Sequence, residues 1–271
     1  MIYKKASYGH TYSRMKEAQQ TKDIDILFLG SSHSYRSFDP RIFLKAGFKT
    51  FNLGSSAQTP IQTKVILNQY IDNLNPKLII YSVSPGLFSV DGIESTLDFI
   101  ANGLIDYESI KMFLQQKDIK VFNSLIFRFY KNIFNKNKND IEDSIKGKDR
   151  YITGGYVERE MAYFQHKTNE PHLINLNLKQ IQSFEDIIDI IHKHKIKLIL
   201  VQVPITNSIY KSIINNDTIN KKMSNYAEYY NFNELIKLDD SLHFYDSHHL
   251  NQIGVKVFNA KLIEILSNKK I

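Results

Sequence analysis

Three residue types in this chain could together perform nucleophilic chemistry, and they sit at its two ends. Near the start, "DILFLGSSHSYRSFDP" runs an apolar strand-like segment into Gly30-Ser31-Ser32-His33. Near the end, "LHFYDSHHLNQIG" gathers His243, Asp246, His248 and His249 ahead of a helical pattern. A serine hydroxyl becomes nucleophilic only with a base in hydrogen-bond reach, and the base needs an orienting group. Ser32, His249 and Asp246 supply all three if the fold joins the two ends. Asp246 and His249 stand three apart, close enough for the carboxylate to hold the imidazole in one tautomer. The same residues have plainer uses: Gly30 to Ser32 as a turn, Asp246 as a helix N-cap, and His33, His243 and Asp246 as zinc ligands. His248 is one residue out of register with His249.

The elements that must position these groups follow from the hydrophobic pattern. Five strand-like runs are expected, at Ile24 to Leu29, Lys49 to Leu53, Leu78 to Val83, Lys197 to Val203 and Glu234 to Leu238. Helical spacing separates most of them. Asp39-Pro40 opens one helix, Ile61 to Leu74 form a second, and "FEDIIDIIHKH" forms a third. A further helix is expected over Ile219 to Tyr230, and a last one carries Val255, Phe258, Leu262 and Leu266. Alternation of this kind predicts a parallel sheet covered on both faces, an α/β chain of three layers. In such a sheet ligands collect beyond the carboxyl ends of the strands. Three of those ends carry small residues: Gly30-Ser31-Ser32, Gly54-Ser55-Ser56 and Ser84-Pro85-Gly86. Glycine permits close backbone approach there, and the first turn of a following helix offers amides to an oxyanion.

Residues 87–176 break the rhythm. They contain helical patterns, "ESTLDFIANGL" and "VFNSLIFRFYKNIF", and then the polar tract "NKNKNDIEDSIKGKD", expected as a loop. The expectation is one α/β domain over residues 1–271, with 87–176 as a helical insertion or cap. Phe127, Phe129 and Tyr130 of that insertion are expected in the core. The first 20 residues show neither strand nor apolar-helix pattern.

Bulk composition narrows the partners. With 35 basic and 28 acidic residues the net charge is +7, but the lysines are scattered and no window is dense enough for a nucleic-acid patch. The absence of cysteine excludes disulfides, thiolate metal sites and a cysteine nucleophile. No run approaches the ~20 apolar residues of a membrane span, and no signal peptide is visible.

These blocks resemble the SGNH (GDSL-type) hydrolases, particularly the branch found among polysaccharide O-acylation and deacylation proteins. "FLGSSHSY" is similar to the family's first block, with Ser32 as nucleophile and Ser31 where many members have aspartate. "FNLGSSAQT" is similar to the second, with Gly54 as an oxyanion amide donor. "FYDSHHLNQIG" is similar to the last, Asp-x-x-His-Leu-Asn, carrying Asp246 and His249. The family's third-strand asparagine is missing from "IIYSVSPGLFS", where Ser84 or Gly86 stands nearest. The resemblance implies a flavodoxin-like sheet in the order 2-1-3-4-5 and a Ser-Asp-His triad with an oxyanion hole of Ser32, Gly54 and Ser84. It implies acyl ester hydrolysis or O-acyl transfer, with acetyl groups on carbohydrate as the expected substrate and no cofactor. Tyr35 and Arg36, just after the nucleophile, are expected at the pocket mouth. A degenerate, carbohydrate-binding member is the alternative. The resemblance also implies an extracytoplasmic site with an N-terminal anchor outside this sequence; a chain complete as given would be cytoplasmic.

Overall fold

The structure is a computed structural model, and it describes residues 9–134, 142–165 and 168–269. Its centre is a five-stranded sheet built from β1 (Ile26–Leu29), β2 (Thr50–Asn52), β3 (Leu78–Ser82), β7 (Lys197–Gln202) and β8 (Glu228–Asn231). The order is β2-β1-β3-β7-β8 and every pairing is parallel. Successive side chains on a strand point to opposite faces, so an apolar run feeds two cores at once. Leu27 and Leu29 enter one core with Ile79, Tyr81 and Leu200, and Ile26 and Phe28 enter the other with Leu78, Ile80 and Ile199.

The helices divide between those faces. Against the first pack α1 (Thr11–Gln20), α4 (Pro60–Leu74), α5 (Ile93–Asn102), α6 (Tyr107–Gln115) and α8 (Leu178–Lys193). Against the second pack α3 (Pro40–Lys45), α11 (Phe232–Leu235) and α13 (Gln252–Asn268), through Phe43, Phe232 and Phe258. Local chemistry starts these helices where the sequence indicates. Asp39 caps α3 by accepting from the Arg41 amide, and Thr59 with Gln62 forms a capping box at Pro60, each cap contributing about 1 kcal/mol. The fold is therefore the three-layer, flavodoxin-like α/β/α arrangement. α10 (Asn216–Ser224) also sends Ile219 and Met223 into the first core, while α2 (Ser32–Tyr35), α9 (Asn207–Ser212) and α12 (Asp240–His243) lie in the connections.

The connection from β3 to β7 departs from expectation. Besides α5, α6 and α7 (Ile119–Phe134) it holds a second, antiparallel sheet of β4 (Ile145–Lys146), β5 (Asp149–Ile152) and β6 (Tyr156–Arg159). β5 and β6 turn through Gly154 and Gly155, at φ of +95° and +82°, which glycine adopts without penalty. The tract expected as a loop supplies β4 from its end; its residues 135–141 lie outside the described residues. Phe129 and Tyr130, expected in the core, are instead exposed on α7.

Two further elements differ. The fifth strand is Glu228–Asn231 rather than 234–238, and the helix before it stops at Ser224. Tyr229 and Tyr230 suit a pleated surface better than a helix, and the Tyr229 hydroxyl donates to Gln202 Oε1 on β7 at 2.6 Å. The N-terminal stretch contains α1, whose inner face is polar in part and so has no apolar signature. Arg14 on that face is fully buried, donating to the Gly155 and Gly9 carbonyls at 2.8 Å each. Among the described residues no helix is long and apolar enough to cross a membrane.

Candidate active site

The end of β1 is shaped by one backbone requirement. Gly30 adopts a φ of +133°, and a Cβ there would stand 2.7 Å from the Ser82 carbonyl oxygen on β3. The chain can therefore turn tightly between two strand ends only with glycine at this position. Ser31 then caps α2, its Oγ accepting from the His33 amide at 3.3 Å. Ser32 becomes the first residue of that helix, where an amide has no partner inside the helix.

The opposing loop is organised by Asp246. Its Oδ1 accepts from the backbone amides of His248 and His249 at 2.8 Å each. Both carboxylate oxygens lie 2.9 Å from His249 Nδ1. An ionised carboxylate only accepts, so Nδ1 carries the proton and Nε2 is left as acceptor. Nε2 lies 2.9 Å from Ser32 Oγ, across 217 positions of sequence. Asn251 fixes the loop from behind: it caps α13 through the Ile253 and Gly254 amides and donates to the Leu242 and Ala162 carbonyls.

Electrostatics keep the pair in this state. Burial acts to raise the Asp246 carboxyl, but its hydrogen bond and charge interaction with His249, with the His248 and His249 amides, bring it down to about 2. His33 is held well below the ordinary histidine value, first by burial and then by His249 and His248. His248 is lowered for the same reasons. Both neighbours are thus neutral at pH 7.

Two rings hold the imidazole of His249. Tyr245 stacks on it at 5.5 Å and 7° between planes, and His33 lies at 5.3 Å and 29°. Behind Tyr245 stand the guanidinium groups of Arg36 and Arg159, 5.8 and 5.4 Å from its ring centroid. Asp149 of β5 joins them, bidentate to Arg36 at 3.0 and 2.8 Å and bonded to Arg159 at 3.1 Å.

Of the remaining sequence candidates, two fall elsewhere than expected. Tyr35 and Arg36 are buried and do not line the cavity. The Tyr35 ring stacks under Arg14 and Arg36, with its hydroxyl 3.1 Å from Ser56 Oγ. Long side chains next to a nucleophile take the direction of their own partners, and here those partners are buried. Gly54 does approach the backbone beside Ser32, since a Cβ on it would be 2.7 Å from the Ser31 carbonyl oxygen. Its amide, however, already donates to Asn52 Oδ1 at 2.8 Å. Ser84 lies at the wall of a cavity of about 540 Å³ that also includes His33 and His248. His243 is turned away from these groups, with Nδ1 accepting from the Asp239 amide at 3.0 Å. Among the described residues, no group of three or more histidine or carboxylate side chains is placed to hold a metal ion.

Sequence reasoning did not single out Tyr245, Asp149 or Arg159. Tyr245 had one available signal, its place directly before Asp246; the Asp149 pairing spans 113 residues and had none.

No family model and no curated protein matches the chain. Among solved structures it is similar to a GDSL-like lipase from Bacteroides thetaiotaomicron, at 12% identity over 97% of this chain and 100% of that one, with a TM-score of 0.48. It is also similar to a family 3 carbohydrate esterase from Clostridium thermocellum, at 14% identity over 90% of this chain and 99% of that one, with a TM-score of 0.39. The likeness is one of architecture.

Proposed function

We propose that the chain is a serine-dependent acyl ester hydrolase or O-acyltransferase, with Ser32 as nucleophile, His249 as general base and Asp246 as its orienting carboxylate. The reading is carried by the continuous line of hydrogen bonds from Asp246 through His249 to Ser32. The sequence blocks that resemble the SGNH hydrolases support it further, and they favour a carbohydrate hydroxyl as the alcohol.

In this reaction Ser32 Oγ attacks the ester carbonyl carbon while its proton passes to His249 Nε2. Asp246 stabilises the imidazolium without taking the proton. The backbone amide of Ser32 and the Ser84 hydroxyl are the candidate donors to the oxyanion; the Gly54 amide would join them only by releasing Asn52. Collapse breaks the carbon–oxygen bond of the ester, and His249 returns the proton to the departing alcohol. The acyl group then rests on Ser32. Water, activated by His249, releases a carboxylic acid; a sugar hydroxyl in its place gives a new ester.

Fluorophosphonate labelling with peptide mass mapping tests the proposal. The expected result is an adduct on Ser32 that is absent in Ser32→Ala and strongly reduced in His249→Ala. No adduct under conditions that label a known serine esterase would overturn it, and glycan binding retained in Ser32→Ala without turnover in either form would assign a binding protein instead. Product analysis with a sugar acceptor separates hydrolase from transferase.

A further inference from the structure

The cavity beside the candidate nucleophile has a composition that bears on the substrate. Its lining includes His33, which follows Ser32, and His248, which precedes His249, so it adjoins the candidate triad through these two neighbours. From there it runs along the carboxyl ends of β3 and β7, under α9 and the segment around residue 174. Its buried wall consists of Val83, Pro85, Ile174, Val203 and Ile213, with Ile209 partly buried beside them. Of the buried polar side chains in the lining, Gln202 already accepts from the Tyr229 hydroxyl, and His33 stands at the end nearest Ser32 with Nε2 unpartnered. Polar lining residues such as His172 and Asn175 are exposed and so belong to the rim.

A sugar placed against the Val, Ile and Pro side chains of this wall would leave most of its hydroxyls without partners, and a buried polar group without a partner is unfavourable. A hydrocarbon chain would lose nothing and bury its methylenes against Val, Ile and Pro side chains. At about 540 Å³ the cavity far exceeds the space that one methyl group fills. His33 and His248, both lowered below the ordinary histidine value by burial, bring no fixed positive charge to the lining.

We propose that this cavity is an acyl-chain pocket, and that the group transferred to Ser32 is a medium-length hydrocarbon acyl chain rather than acetyl. The assignment rests on the serine-esterase reading above and replaces only its acyl group; the alcohol stays on the open, polar side of Ser32. Each methylene withdrawn from water contributes about 0.8 kcal/mol, close to fourfold in kcat/KM where the contact is kept in the transition state.

The test uses two ester series on the full chain. In the first the acyl group runs from acetate through butyrate and hexanoate to octanoate on one alcohol; in the second the acyl group is acetate and the alcohol lengthens. Two variants narrow the cavity: Ile209→Trp from its partly buried wall, and Gly86→Phe at its edge, where an added Cβ meets nothing within 4 Å. Melting temperature monitors folding in both. The expected result is a rise of at least about tenfold in kcat/KM from acetate to octanoate in the first series, and collapse of the octanoate-to-acetate ratio in at least one folded variant. A flat or falling first series overturns the pocket assignment, as does a ratio unchanged in both folded variants. A length preference confined to the alcohol series also overturns it. A fluorophosphonate adduct on Ser32 alongside any of these leaves the esterase reading intact, whereas absence of both adduct and turnover removes both.

Discussion

The Tyr245 ring lies flat against the His249 imidazole, with centroids 5.5 Å apart and planes within 7° of parallel. On the esterase reading this contact makes Tyr245 a positioning residue, since it lies against the proposed base and would restrict the direction in which Nε2 points. Replacing it by Leu is expected to lower kcat about 10- to 100-fold with little change in KM, because a misplacement on the scale of 1 Å carries a penalty of that order. Tyr245→Phe keeps the stacking face and should restore most of the rate. Steady-state kinetics on the two variants check this, and equal losses in both would assign the hydroxyl rather than the ring.

The brace behind Tyr245 has a stability signature. Arg36 and Asp149 are each about one-tenth exposed in their side chains, so removing one leaves the other charge poorly solvated. Asp149→Ala is expected to cost about 3–5 kcal/mol of unfolding free energy. Replacing both partners, Arg36→Met with Asp149→Leu, should cost distinctly less. Urea denaturation of the single and double variants measures the difference.

Asp246→Asn separates orientation from charge. The amide oxygen can still accept from the His248 and His249 amides, so the loop should keep its shape. It cannot present two acceptors to Nδ1, and the imidazole loses its enforced tautomer. The expected fall in kcat is about 10⁴-fold, the size known for this change in a serine protease triad. In the native chain the carboxyl is held down to about 2. Its contribution to stability is therefore fully present above the unfolded value near 3.8 and declines progressively as pH falls from there through about 2. Acid inactivation that begins well above pH 4 would have to come from another group.

Asp98 titrates in the opposite sense. Removal from water raises it to about 6, although Thr11 and Asn102 each donate to it at 2.8 Å. The folded state thus holds a proton that the unfolded state has released between pH ~4 and ~6, and stability falls as pH rises through that window. The loss is on the order of 2–3 kcal/mol at most. Asp98→Asn should flatten the slope, as followed by denaturant midpoints at pH 4 and pH 7.

What the sequence revealed depended on the range of the interaction. The parallel sheet was legible because each strand is a short apolar run with its own stop signal, and Gly30, Gly54 and Pro85 mark the ends from within. Ser32, Asp246 and His249 stood out because each sits in a compact block whose residue types have a chemical use. The structure brings them within hydrogen-bond distance. Tyr35 and Arg36 were misplaced because adjacency in sequence fixes where a backbone is, not where a long side chain goes. Arg36 turns toward Asp149, and nothing near either residue announces the other. α1 was hidden for a related reason: a helix that buries Arg14 and Thr11 on one face shows no apolar stripe. The strand at Glu228–Asn231 was displaced because its tyrosines also fit a helical tally, and only pairing with β7 decides between the two.

The hydrogen bond between Ser32 and His249 joins residues from the first and last strand-to-helix turns of the sheet, with nearly the whole chain between them. During synthesis the serine leaves the ribosome early, on a strand whose flanking partners β2 and β3 soon follow. On the esterase reading, the imidazole that would activate it arrives only after β8 has closed the far edge and α13 has begun to emerge. A chain ended before His249 would then carry an ordinary, unreactive serine at position 32. Acylation of Ser32 would report that synthesis has passed His249 and that the two segments have folded together.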